Sequence, residues 1–294
     1  MEEKNYISKA KECYRHAEKK KKPGVLGKIF SNREERMSEA AELFKQAANY
    51  YRLGKDYKSA AEAFVQCANC VPEEAHQHYS EAGNLLRKVN TSEAIEYYNR
   101  AVEMLASSGR IGMAAKLRKQ IAEIYEGDDM LGSAVQNYEH AAELFELDNS
   151  ESTANSCHLK VAELSTQDSL DSNTILKAIK LFETVGQRYL QHNLTKFSAK
   201  DCYFKAVILF MANEDIVGAE NALQNYFNRD PSFETSREGK LAQELISDIR
   251  ASNVNSFESH LYQYNNITPL DRWKTKVLIK AKNMLNAYEE PDFS

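Results

Sequence analysis

Glycine and proline are scarce, at 11 and 5 in 294 residues. That scarcity argues against a turn-rich architecture and for helices joined by short connectors, in a chain rich in Ala, Glu, Lys, Leu and Tyr. No window approaches the roughly 18 apolar residues of a membrane span, and the opening MEEKNYISKA lacks the apolar centre of a secretory signal. The expectation is a cytoplasmic protein, peripheral on membranes. Excess positive charge is also missing: the formal net charge is −5 and the pI near 5.9, which argues against nucleic acid as a partner. The five cysteines, Cys13, Cys67, Cys70, Cys157 and Cys202, are odd in number and scattered, as suits reduced thiols. Cys67 and Cys70 share a helical stretch, AAEAFVQCANCV, with no second ligand pair at zinc-like spacing, so they read as core residues. The sequons at Asn90, Asn193 and Asn266 read as chance matches in a chain that stays out of the secretory lumen.

Catalytic constellations are equally absent. GVLGK superficially resembles a phosphate-binding loop, but Lys22 stands where the first glycine belongs and Ile29 follows Lys28 in place of Ser or Thr. His76 and His78, two residues apart, are expected on different sides of a helix, and no zinc-protease or nucleophile-elbow pattern occurs. The expectation is a non-enzyme with no cofactor and no metal.

What is present is a repeat. Alanine, an aromatic four residues on and a small residue three further recur as Ala10-Tyr14-Ala17, Ala40-Phe44-Ala47, Ala60-Phe64-Cys67, Ala75-Tyr79-Ala82, Ala94-Tyr98-Ala101, Ala134-Tyr138-Ala141 and Ala199-Tyr203-Ala206, with a looser copy at Ala178-Phe182-Val185. Spacings of four and three share one side of a 3.6-residue helix, where small residues let a neighbouring helix approach and the ring fills the gap. Two helices per roughly forty residues describe an all-α, TPR-like α-solenoid of stacked helical hairpins. Connectors such as RLGKDY, SSGRIG and EGDDML carry the Gly and Asp expected at helix ends. After residue 230 the repeat fades, so residues 1–230 are read as the hairpin array and 231–294, with the single Trp in LDRW, as a C-terminal helical bundle ending in an acidic tail.

Two stretches stand out against this background. In EKKKKPGVLGKIFSNREER, Val25, Leu26, Ile29 and Phe30 lie in a Pro/Gly-punctuated loop at 23–31, with Lys28 between the apolar pairs and Lys19 to Lys22 before them. Apolar side chains among lysines suit the interface of an anionic bilayer. Lys116, Lys160, Lys200 and Lys240 are separated by 44, 40 and 40 residues. Positions one repeat apart share a face of successive units, which predicts a cationic flank.

The chain resembles the alpha-type soluble NSF attachment proteins (SNAPs) through GRIGMAAKLRKQIAEIYE (109–126), SAKDCYFKA (198–206), SREGKL (236–241), LDRW, the apolar loop and the acidic end, in this order over essentially the whole chain. The resemblance implies a right-handed, twisted sheet of helical hairpins with a C-terminal bundle. It implies an adaptor that binds assembled SNARE complexes, acidic rod-like bundles, and recruits and stimulates the hexameric ATPase NSF to take them apart, without catalysis of its own. It carries SNARE contact onto Arg110, Lys116, Lys160, Lys200 and Arg237, to which the spacing adds Lys240. It carries membrane contact onto Val25, Leu26, Lys28, Ile29 and Phe30, and ATPase contact onto Glu289, Glu290, Asp292 and Phe293. Ser156 stands where the family has a basic residue, Phe293 where leucine is usual, and Pro291 interrupts the acidic run. A general TPR-like peptide-docking scaffold is the alternative, but the long spacing and Ala-rich faces do not supply that scaffold's polar clamp.

Overall fold

The alanine-aromatic-small triplets all lie on helices, with their members turned inward. In the structure, a computed structural model that describes residues 2–22 and 32–289 (of 284 and 286–289 the backbone only), fifteen α-helices follow one another. They are α1 (Glu2–Lys21), α2 (Arg33–Leu53), α3 (Tyr57–Cys70), α4 (Ala75–Leu86), α5 (Thr91–Ser107), α6 (Ile111–Gly127), α7 (Leu131–Leu147), α8 (Glu151–Asp168), α9 (Ser172–Leu190), α10 (Ala199–Ala212), α11 (Ile216–Arg229), the single turn α12 (Pro231–Glu234), α13 (Arg237–Arg250), α14 (Val254–Ile267) and α15 (Arg272–Glu289). No strand occurs among the described residues.

One turn is used repeatedly to reverse the chain. Backbone N–H groups of Asp56, Arg110, Met130, Ser150, Asp215 and Asn253 donate to the carbonyls of Tyr51, Leu105, Tyr125, Phe145, Phe210 and Asp248, five residues back. Each of the six is preceded by a left-handed residue: Lys55, Gly109, Asp129, Asn149, Glu214 and Ser252. This is the Schellman ending, which satisfies carbonyls that the helix leaves unpaired. Only one of the six is glycine. In RLGKDY the left-handed position is Lys55, directly after the C-cap Gly54, in EGDDML it is Asp129, two residues after the Gly127 that ends α6, and in SSGRIG it is Gly109 itself, so the connector glycines mark helix ends as expected without always supplying the left-handed residue. Asp56, Asp215 and Asn253 also cap the next helix, accepting from the N–H of Ser59, Gly218 and Ser256.

The chain divides into two compact units, Met1–Glu123 with Glu143–Ser150, and Ile124–Ala142 with Glu151–Ser294. In the first, α1 packs on α2, α2 on α3, α3 on α4 and α4 on α5. Phe44 meets the edge of Tyr14 at 5.0 Å between centroids, and Ala40, Ala47, Ala60 and Cys67 are fully buried around them. Cys67 donates its thiol to the Ala41 carbonyl at 3.3 Å, and burial pushes its pKa up to about 12, so this thiol packs and does not react.

In the second unit, α10 lies against α9, α11, α13 and α15, and from Cys202 to Ala212 every residue but the half-buried Phe210 is buried, the charged Lys205 included, as suits a central helix. Tyr203 of α10 stacks on Tyr226 at 4.4 Å, with Phe233 next to it. One continuous core runs from Ala162 to Leu285, across position 230. SREGKL is explained by packing. Ser236 caps α13, accepting from Gly239 N–H at 3.0 Å and donating to the Phe233 carbonyl at 2.6 Å. A Cβ at Gly239 would sit 2.1 Å from that carbonyl oxygen. Gly239→Ala is therefore expected to destabilise the second unit by about 1–3 kcal/mol, read as a lowered thermal unfolding midpoint.

Candidate functional site

The six basic residues expected to face an acidic partner occupy particular places on their helices. In the first unit, Arg110 is exposed immediately before α6 and Lys116 is exposed in the second turn of that helix. Lys116 makes no ion pair among the described residues. It lines a cavity of about 730 Å³ together with Lys45, Arg52, His76, His78 and an apolar floor that includes Phe64 and Leu117. Both histidines are buried and line this one cavity, and as their spacing predicts they meet different neighbours: His76 contacts Arg110, while His78 stacks on Phe64 of α3 with 6.1 Å between ring centroids.

In the second unit, Lys200 lies in the first turn of α10, while Arg237 opens α13 with Lys240 one turn on. Cations at these positions add to the partial positive charge of the helix N-termini, an arrangement that costs stability in isolation and suits an anionic partner. Lys200 and Lys240 have no ion pair among the described residues, and Arg237 reaches only the Thr268 hydroxyl, at 3.3 Å. Lys160 differs. Its ammonium is 2.6 Å from Glu126 of α6, whose other carboxylate oxygen accepts from the Tyr138 hydroxyl at 2.6 Å. Burial pushes the Glu126 pKa up, but Lys160 and Tyr138 outweigh it and the net shift is downward. Lys160 is thus a half-neutralised, fixed cation. Ser156, one turn before it, bonds back to the Thr153 carbonyl at 2.8 Å and offers no charge.

Two apolar residues between α9 and α10 were not anticipated. Leu194 is 97% exposed and Phe197 70%, with the Lys196 ammonium 5.3 Å from the Phe197 ring centre, directly before Lys200. The signal available in the sequence was an apolar pair inside the otherwise polar QHNLTKFS.

A second unanticipated group fixes α15. Lys205, only 10% exposed at its side chain, donates to Glu163 of α8 at 2.8 Å and pairs with Asp201 at 2.6 Å. Lys274 of α15 joins the same Asp201 at 2.7 Å. Burial alone would lower the Lys205 pKa, yet Asp201 and Glu163 drive it upward overall, so the ammonium stays charged. Trp273 lies against this network: its indole N–H donates to the Glu163 carbonyl and the Thr166 hydroxyl at 3.1 and 2.9 Å, its ring meets Phe182 edge-on at 5.6 Å, and the Lys205 ammonium sits over it at 5.9 Å. Lys276 and Lys280, on the same side of α15, donate to the carbonyls of Gln167 and Leu170 where α8 ends. Lysines at a helix C-terminus satisfy its free carbonyls and oppose its negative pole. Asp271 caps α15 by accepting from Lys274 N–H at 2.8 Å. LDRW is therefore a latch that seats the last helix.

The residues expected at the membrane, Val25, Leu26, Lys28, Ile29 and Phe30, lie outside the described residues, as do Glu290, Asp292, Phe293 and the side chain of Glu289. Of the lysines before the loop, Lys20 pairs with Glu39 and Lys21 donates to Gln66 at 2.6 Å, so these two are held by α2 and α3. Lys22 remains largely exposed, 3.8 Å from Glu18. Among the described residues no helix is long and apolar enough to cross a membrane, and no group of three His, Cys, Asp or Glu is placed to hold a metal ion.

Residues 8–286 match the family described as soluble NSF attachment protein, SNAP. The alpha-soluble NSF attachment protein of Homo sapiens is 32% identical over 260 residues, covering 87% of each chain. The probable vesicular-fusion protein sec17 homolog of Schizosaccharomyces pombe is 33% identical over 276 residues, covering 92% of this chain and 94% of the relative. The alpha-soluble NSF attachment protein of Dictyostelium discoideum is 33% identical over 288 residues, covering 96% and 98%. With a match spanning nearly the whole chain, and with the family's motifs accounted for as turn, cap and latch, this protein belongs to the soluble NSF attachment protein family.

Proposed function

We propose that this protein is an adaptor that binds assembled SNARE complexes through the basic residues of α6, α8, α10 and α13 and brings the NSF ATPase to them, so that the bundle is unwound during vesicle fusion and trafficking. The observation that carries this reading is the placement of Arg110, Lys116, Lys200, Arg237 and Lys240 on a chain of net charge −5: all exposed or half-exposed, none in an ion pair among the described residues, and four of them in or just before the first turn of a helix. Such cations raise the association rate with an acidic rod and lose their effect as salt rises. Leu194 and Phe197 supply apolar contact next to Lys200. The acidic end, Glu289, Glu290 and Asp292 with Phe293, is the part offered to the ATPase. Individually weak contacts gain strength when held on one scaffold.

The test is ATP-dependent disassembly of a SNARE complex by the cognate ATPase, with and without this protein. Disassembly that depends on the added protein is expected. Equal rates in both arms reject the adaptor role, and binding of short acidic C-terminal peptides in its place would favour a general peptide-docking scaffold.

Peripheral membrane contact belongs to the same proposal. Replacing Ile29 and Phe30 with serine removes two side chains worth about 1.5–3 kcal/mol each when fully buried, and less at shallow depth. Flotation with anionic liposomes is expected to fall by roughly tenfold or more, a change of about 1.4 kcal/mol or above. Binding to a soluble SNARE complex is expected to stay intact; loss of both would make the loop a structural element.

A further inference from the structure

Arg110 does not project freely from its turn. Its guanidinium Nη1 lies 3.0 Å from Nε2 of His76, a side chain only 5% exposed. A guanidinium can only donate, so Nε2 must accept, and the imidazole must be neutral with its proton on Nδ1. His76 lines the cavity that Lys116 also lines. The contact therefore ties one basic residue of the first unit to the wall occupied by the other.

We propose that His76 is a positioning residue: its neutral imidazole tethers Arg110 at the cavity beside which Lys116 projects, and protonation of His76 releases it. The partner addressed by this pair is the acidic bundle of the preceding section, and that part of the inference rests on the adaptor reading. The tether itself does not.

The groups around His76 pull both ways, the acids including Glu81 of its own helix, which lines the same cavity, and burial with the Arg110 charge prevails. Arg110 faces it from the turn between α5 and α6. The Glu73 carbonyl and the Glu74 carboxylate face it from the turn before α4, and His78 shares its own helix. Lys45 and Arg52 of α2 and Lys116 of α6 line the same cavity, to which α3 and α5 contribute the apolar Phe64 and Leu105. Burial first, and then the Arg110 charge, hold His76 below its ordinary 6.5, against a smaller pull upward from Glu73 and Glu74. The neutral form is thus favoured in the folded protein. The tether is fully present above the ordinary value and is lost as pH falls through the lower native one.

The experiment has two arms, both on the full chain. In the first, the imidazole resonances of His76 are titrated by NMR in the wild type and in Arg110→Gln. The variant is expected to titrate at higher pH, because a neighbouring cation is gone; an unchanged midpoint overturns the tether whatever the protein binds. In the second, affinity for a soluble SNARE complex is measured from about pH 7.5 to about pH 5.5, the range in which histidine changes charge. The wild type is expected to weaken by roughly three- to fivefold, the effect of misplacing one exposed cation. His76→Gln keeps an acceptor that does not titrate and is expected to bind with a flat profile. His76→Leu is expected to bind at neutral pH as weakly as the wild type does in acid, and adding Arg110→Gln to it should cost nothing more. A wild-type profile that matches His76→Gln overturns the proposal. A shifted His76 midpoint combined with full binding by Arg110→Gln overturns the docking role alone and identifies the adaptor surface, not the tether, as the failed premise.

Discussion

A chain carrying Lys116→Glu, Lys200→Glu and Lys240→Glu together is expected to lose co-sedimentation with assembled SNARE complex while keeping its helical content and thermal stability. These three are chosen because none has an ion pair among the described residues, so their reversal breaks nothing inside the protein. An exposed charge pair is worth about 0.2–1 kcal/mol, and reversal replaces attraction with repulsion of similar size, so three reversals amount to about 3 kcal/mol. The expected loss is roughly a hundredfold in affinity, since about 1.4 kcal/mol is tenfold. Raising the salt should shrink the difference between variant and wild type, because the wild type loses its advantage. Lys160→Glu behaves differently. It sets a second carboxylate against Glu126, 2.6 Å from the present ammonium, so the second unit itself should become less stable. Unchanged sedimentation of the triple variant at low salt would remove the basic surface from the account of binding.

Trp273→Ala separates the seat of the last helix from the basic surface. The substitution removes two hydrogen bonds, the edge contact with Phe182 and the lid over Lys205, while leaving Lys200, Arg237 and Lys240 in place. Truncating a packed tryptophan costs about 3–5 kcal/mol, and the lower end applies here because Trp273 is only partly buried. Much of that cost falls on the junction of α15 with α8 and α10. Hydrogen exchange is expected to rise in α15 ahead of α10, and stimulation of the ATPase to drop more than SNARE binding does, since the acidic end is carried by α15. Uniform loosening of the whole second unit would show that the indole is an ordinary core residue. Equal loss of binding and stimulation would point the same way.

The helices themselves were legible in the sequence for a simple reason. Ala-aromatic-small spacing at four and three is a local pattern, and the structure buries Ala94, Tyr98, Ala101, Ala134, Tyr138 and Ala141 almost completely. The turns were legible only as to place. Which residue goes left-handed is settled by where the preceding helix stops, not by where a glycine is available, so Lys55 and Asp129 are left-handed although Gly54 and Gly127 stand one and two residues before them. The periodic lysines could be listed by their spacing, but spacing carries no information about partners more than thirty residues away.

Composition and periodicity by themselves determined the all-α class, the hairpin repeat and the burial of Cys67 and Cys70, because each depends on short-range geometry and on the preference of apolar groups for burial. Tertiary structure alone decided that Lys160 is answered by Glu126, that Lys205 is a buried cation shared by Glu163 and Asp201, that Trp273 latches α15 to the end of α8, and that His76 holds Arg110. Those facts rest on side chains brought together from separate helices, and whether a charge is free, paired or held depends on the neighbours that packing supplies.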